Sequence, residues 1–131
     1  MRVFLCLIFL LLPIQAFSAD WSWDKADYIR EGVSAGITVI DWGQTRDIHN
    51  HQGVIEMNAI LGPHPSNRAI DNYFHLVIPI HALISVALPK EVDSEWFGKL
   101  YPRIAWQYMY LGIEGVAVTS NAFRYGLKMS F

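Results

Sequence analysis

Residues 70–88 read IDNYFHLVIPIHALISVAL, from Ile70 to Leu88. After Asp71 this stretch holds no carboxylate, lysine or arginine. Its nineteen residues approach the roughly 20 that a helix needs to cross a hydrocarbon core about 30 Å thick. Apolar and polar residues do not alternate along it, as they would in a strand with one wet face. Pro79 kinks the segment, which membrane helices tolerate because neighbours re-satisfy the freed backbone groups, and Pro89 stops it. The stretch therefore predicts a transmembrane helix, and it makes lipid the solvent for the rest of the chain.

Composition agrees with that solvent. Of 131 residues, 53% are hydrophobic and 17% charged, against about 25% charged in soluble chains. The length suits one domain. A net charge of −2 argues against a nucleic-acid binder, which needs a basic face to meet phosphates, so no nucleic-acid partner is expected. Cys6 is the only cysteine, which rules out a disulfide framework, a zinc knuckle and a later cysteine nucleophile.

Upstream, Arg2 followed by the apolar run Val3 to Ile14 and the small residues of Ala16-Phe17-Ser18 form a secretory signal pattern over residues 1–18, with cleavage after Ser18. An uncleaved signal anchor fits the same residues. Residues 19–131 then form a single helical membrane domain whose start lies beyond the bacterial inner membrane. Arg46, Arg68, Arg124 and Lys128 on one side balance Lys25, Lys90, Lys99 and Arg103 on the other, so loop charge sets no orientation.

Lys25 to Ile48 predicts a first helix, begun by Asp20 or Asp24. Asp27, Glu31, Ser34, Thr38, Asp41 and Thr45 recur at spacings of four and three, which places them on one helix face. Ile29, Val33, Ile37 and Ile40 take the other side, with Gly32 and Gly36 as a small-xxx-small pair. His49 to Arg68 reads as a short polar elbow ended by Gly62-Pro63-His64-Pro65-Ser66. Lys90 to Pro102 is a charged connection in which Trp96, Phe97 and Tyr101 suit an interfacial belt. Arg103 to Tyr125 predicts the last helix, with Gln107, Glu114 and Asn121 seven apart on one face. The fold expected is all-α: a small helical membrane bundle of about three spans.

In such a bundle the first and last helices run parallel and the middle one antiparallel. At the outer end, Asp27 and Glu31 are then candidates to pair with Arg103. At the inner end, Asp41, Thr45, Asn72, His75 and Asn121 can gather, with Glu56 and Asn58 folded beneath. Glu114, midway along an apolar helix, must turn inward or become neutral. Acids and imidazoles together suit a metal or proton site; the same groups also serve as hydrogen-bonding glue between helices in lipid. Ordered metal-ligand spacing is missing, so neither metal nor cofactor is expected. No nucleophile elbow, phosphate loop or HExxH motif asks for an enzyme. His49-Asn50-His51 lacks the flanking pattern of a nuclease.

The run Asp41-Trp42-Gly43-Gln44-Thr45, followed by Glu56-Met57-Asn58-Ala59-Ile60-Leu61-Gly62, resembles uncharacterised small integral membrane proteins of bacteria and their phages. Those have an Asp-x-x-Gln-Thr helix end and a Glu-x-Asn-Pro-x-Leu-Gly elbow; Ala59 stands here at the proline position. The final helix with Glu114 and Asn121 is similar to theirs as well. The resemblance implies a membrane location and carries no activity with it.

Three functions compete. The first is an accessory or regulatory subunit working by helix contact with lipids around it, and with another membrane protein or itself as partner. The second is an intramembrane metal- or proton-handling protein or enzyme using Asp41, Glu56, His75 and Glu114. The third is a small outer-membrane β-barrel, because Phe123, Tyr125, Leu127, Met129 and Phe131 alternate to a terminal phenylalanine and Gly32 to Gly43 partly alternates.

Overall fold

The computed structural model describes residues 19–49, 55–126 and 128–131. The signal segment with Cys6, and Asn50 and His51, lie outside these residues.

Helix α1 spans Lys25–His49, α2 spans Asn67–Ala87 and α3 spans Pro102–Tyr125. Their 25, 21 and 24 residues rise to about 37, 31 and 36 Å at 1.5 Å per residue. Each begins where its sequence supplies partners for the free N–H groups of the first turn. At α1, Asp24 Oδ1 accepts from the Asp27 amide at 2.9 Å while Asp27 Oδ2 accepts from the Asp24 amide at 3.1 Å, a reciprocal cap. At α2, Ser66 Oγ accepts from the Ala69 amide at 3.2 Å. At α3, Pro102 occupies the first turn, where its missing N–H costs no helical bond.

Between α1 and α2 the elbow is tight. The Glu56 amide bonds Pro63 O, and the Leu61 and Gly62 amides both bond Asn58 O. The elbow therefore folds back on itself and delivers α2 antiparallel to α1. Asp71, in the first turns of α2, accepts from Trp42 Nε1 at 2.9 Å and Arg46 Nη1 at 3.0 Å near the end of α1. Helix α3 runs parallel to α1: their first turns meet at Asp27 and Arg103, and further along both helices Asp41 meets Asn121.

The all-α expectation needs a correction. Strands β1 (Ala19–Asp20), β2 (Glu91–Ser94) and β3 (Gly98–Leu100) form an antiparallel sheet in the order β1-β2-β3. Ala19 faces Val92, which faces Leu100. The charged connection is thus a hairpin across the end of the bundle. Strands of two, four and three residues are too short to show an alternating pattern in sequence.

The barrel alternative falls with the same observation. Residues 32–43 are helical, Phe123 and Tyr125 belong to α3, and Met129 and Phe131 form no strand. The span count also shifts. Among the described residues α2 is the one helix long and apolar enough to cross a membrane. Helices α1 and α3 fall short of that hydropathy because each carries a stripe of polar side chains.

Those stripes form the interior. Ile70 and Phe74 are the only buried large hydrophobic residues among the described ones. Among the described residues twelve polar or charged ones are buried, including Asp27, Thr38, Asp41, Arg103, Gln107 and Glu114. Isoleucines, valines and methionines instead cover the outside of all three helices.

Candidate functional site

The polar interior runs the length of the bundle in three levels, each assembled from different helices.

At the outer level Arg103 of α3 is fully buried. Its Nε donates to Ser85 O and Leu88 O, both at 3.0 Å, at the end of α2. Its Nη1 donates to Ser22 O at 2.6 Å and Asp27 Oδ2 at 3.3 Å, and its Nη2 to Trp21 O at 3.2 Å. The guanidinium also lies over the Trp23 ring, 4.8 Å from its centroid. A planar fork with five N–H donors suits this role, because it can satisfy acceptors from three directions at once. Arg30 adds a second cation, bonding Asp27 Oδ1 and, at 2.7 Å, Gln107 Oε1. Of the two acids expected near Arg103, Asp27 is the one that meets it. Glu31 turns to α2 instead.

At the middle level Glu31 Oε1 lies 2.7 Å from His81 Nδ1, and Glu31 Oε2 accepts from Gln107 Nε2 at 3.3 Å. The His81 ring sits between aromatic neighbours, 3.9 Å from the Tyr110 centroid and 5.4 Å from that of Trp106. The Tyr110 hydroxyl is 2.9 Å from Thr38 Oγ1 and lies near the Glu114 carboxyl.

At the inner level Asn121 Nδ2 donates to Asp41 Oδ1 at 3.0 Å. Asp41 lies within electrostatic reach of Glu114 and of Glu56 from the elbow. Asn58 lies near the Tyr73 hydroxyl of α2, and its backbone amide donates to Glu56 Oε1 at 2.7 Å. Thr45 is buried beside this group on α1. His75 is not part of it: the ring is exposed and meets Trp42 edge-on, 4.7 Å between centroids. Asn72 is exposed as well. Consecutive helical residues turn by about 100°, so His75 sits one step and Asn72 two steps around α2 from the buried Phe74.

Sequence reasoning passed over His81, Tyr110, Tyr73, Gln44 and Arg30. One signal was available for His81. Ile70, Phe74, His81 and Ser85 recur at spacings of four, seven and four, so they share the buried face of α2. Tyr110 carries the same kind of signal, since Arg103, Gln107, Tyr110 and Glu114 recur at spacings of four, three and four on one face of α3. The Tyr73 ring matches its apolar neighbours and only its hydroxyl differs.

Several buried atoms have no hydrogen-bond partner among the described residues: Glu114 Oε2, His81 Nε2, Ser85 Oγ and both amide atoms of Gln44. No group of three or more histidine, cysteine or acidic residues is placed to hold a metal ion among the described residues. Chemically, the site holds charges out of water in pairs and presents carboxyl, imidazole and phenol groups able to take up or release protons.

Outside the helices the electrostatics are simpler. Lys90 Nζ lies 2.9 Å from Asp24 Oδ2. That bond, followed by the one from the Asp27 amide, pulls the Asp24 carboxyl down to about 2; the same partnership raises the Lys90 ammonium. No protein-family model, curated protein or solved structure matches the chain.

Proposed function

We propose that the chain is a three-span integral membrane protein of the bacterial inner membrane, and that it works by contact, as an accessory or regulatory subunit for another membrane protein or for a second copy of itself. The inverted distribution of side chains carries this reading. In water, leaving Leu83, Val116 and Phe123 exposed while burying Asp27, Asp41 and Glu114 costs on both counts. In lipid the same arrangement is favourable twice over, since apolar faces meet hydrocarbon and polar groups meet each other. Helix lengths of about 31–37 Å suit the hydrocarbon thickness with some tilt. The contact role is supported by the outer face of α3, where Gly112 and Gly115 leave open space at their Cβ positions within an apolar depression reaching Phe123.

Fractionation of expressing cells tests the location. The protein is expected to stay with membranes through alkaline carbonate and to be released by detergent. Recovery in the aqueous fraction overturns it. Cysteine placed at Gly115 in a Cys6→Ser chain tests the contact role: oxidation in membranes is expected to yield a discrete cross-linked species, and a purely monomeric product counts against it.

A second reading has its own observation. Glu114 Oε2 and His81 Nε2 are buried without partners among the described residues, as proton-handling groups between turnovers would be. Reconstitution in vesicles with a pH-sensitive dye inside separates the two: proton flux abolished by Glu114→Gln favours this one.

A further inference from the structure

We propose that the β2–β3 hairpin is a lipid-docking element whose tip, Trp96 and Phe97, lies in the headgroup–acyl boundary of the outer leaflet and fixes the depth at which the bundle sits; the proposal rests on the membrane reading above. The tip is the most exposed aromatic pair in this half of the molecule, with Trp96 at 87% and Phe97 at 79% exposure. Exposed Trp21, Leu100 and Tyr101 lie at the same end, on or beside the sheet. Large amphipathic rings gathered at one end of a bundle match the chemistry of the interface, where the ring body meets acyl chains and the polar edge meets headgroups.

Three features favour lipid over a protein partner as what covers this tip. The first is continuity: the apolar outer faces of α2 and α3, with Leu83, Val86 and Tyr108 exposed, lead up to the sheet. The second is charge placement. Lys99 pairs with Glu91 across the strands and Lys90 with Asp24, both behind the tip. Glu95 is exposed in the turn beside Trp96, a charge that suits headgroup depth rather than the acyl core. The third is backbone satisfaction. Ser94 Oγ accepts from both the Trp96 and Phe97 amides at 3.3 Å, so the turn closes its own donors. A loop that enters a poorly hydrated layer must do this, because unsatisfied N–H groups are costly there. Gly98, at φ +68°, supplies the left-handed residue that closes the three-residue loop.

The test is spin-label accessibility in phospholipid nanodiscs. Single cysteines replace Trp96, Phe97, Leu76 or Ile113 in a Cys6→Ser chain, and each nitroxide is exposed to oxygen and to a water-soluble nickel chelate. Leu76 and Ile113 are exposed mid-helix positions and report the membrane itself. The proposal expects labels at 96 and 97 to collide with oxygen several-fold more often than with the chelate, at a depth shallower than 76 and 113. If 76 and 113 are lipid-like while 96 and 97 are as open to the chelate as a free nitroxide, the hairpin stands in water and the proposal is wrong. If 96 and 97 are shielded from both reagents, protein covers the tip, and lipid docking is again wrong. If all four positions are open to the chelate, the membrane reading itself fails and takes the hairpin with it.

Discussion

The Arg103 guanidinium and the Asp27 carboxylate meet at 3.3 Å with neither side chain reaching solvent. The pair joins the first turn of α1 to the first turn of α3, and the remaining Arg103 donors tie in the end of α2 and the segment after β1. Asp27→Asn strands Arg103 as a buried charge, whereas Arg103→Met leaves Asp27 paired with Arg30 but takes the donor from the carbonyls of Trp21, Ser22, Ser85 and Leu88. Asp27→Asn is therefore expected to cost about 3–5 kcal/mol, and Arg103→Met a comparable amount, read as a lower denaturation midpoint in detergent. The double variant is expected to lose less than the sum of the two, because the stranded charge is gone. Additive losses would show that the two residues act separately.

The inner level gives a smaller coupling. Asp41 and Asn121 share one hydrogen bond at 3.0 Å, and such bonds between membrane helices average well under 2 kcal/mol. A double-mutant cycle with Asp41→Ala and Asn121→Ala is expected to return a coupling of about 1 kcal/mol. A value near zero would mean that the contact does not stabilise the bundle.

Gly43 sits under the C-terminal tail. The Ser130 amide donates to Gly43 O at 3.0 Å, and Phe131 meets Trp42 edge-on. A Cβ at residue 43 would lie 2.8 Å from Phe131 Cζ and 3.0 Å from Met129 Cβ. Gly43→Val is expected to dislodge the tail at a cost of about 1–3 kcal/mol, seen as faster carboxypeptidase trimming. Unchanged trimming would show that the tail adapts to the extra methyl groups.

The Asp24–Lys90 pair predicts a dependence on pH. The folded Asp24 carboxyl lies below its ordinary 3.8, at about 2. Its contribution is therefore complete above 3.8 and fades as pH falls through about 2. Lys90 is raised, so its share is complete below 10.5 and is lost only above that. Asp24→Asn is expected to flatten the acid limb of the stability curve and to lower the neutral plateau by the same small amount, small because both side chains reach solvent. An acid limb identical to the wild type would remove Asp24 from it.

Much of the architecture is legible in the sequence because helices advertise themselves by period. The spacing of Asp27, Ser34, Thr38, Asp41 and Thr45 marks a polar face, and that face is the buried one. Gln107 and Glu114, seven apart, do the same for α3. What period cannot convey is rotation about the neighbouring axis. Glu31 lies close to the Asp27 stripe, yet pairs with His81 rather than Arg103, because α2 happens to stand on that side. His75 looked equivalent to any other polar residue of α2 and points outward.

The sequence by itself determined that this chain buries polar groups and exposes apolar ones on three helices, since composition and 3.6-residue spacing are local properties. The tertiary structure alone decided that Glu31 meets His81 rather than Arg103, that His75 and Asn72 stay outside, and that a small sheet closes the end of the bundle at Asp27 and Arg103. Those outcomes depend on how helices are rotated and on contacts far apart in the chain, such as Glu31 with His81, 50 residues away. No local pattern encodes such contacts.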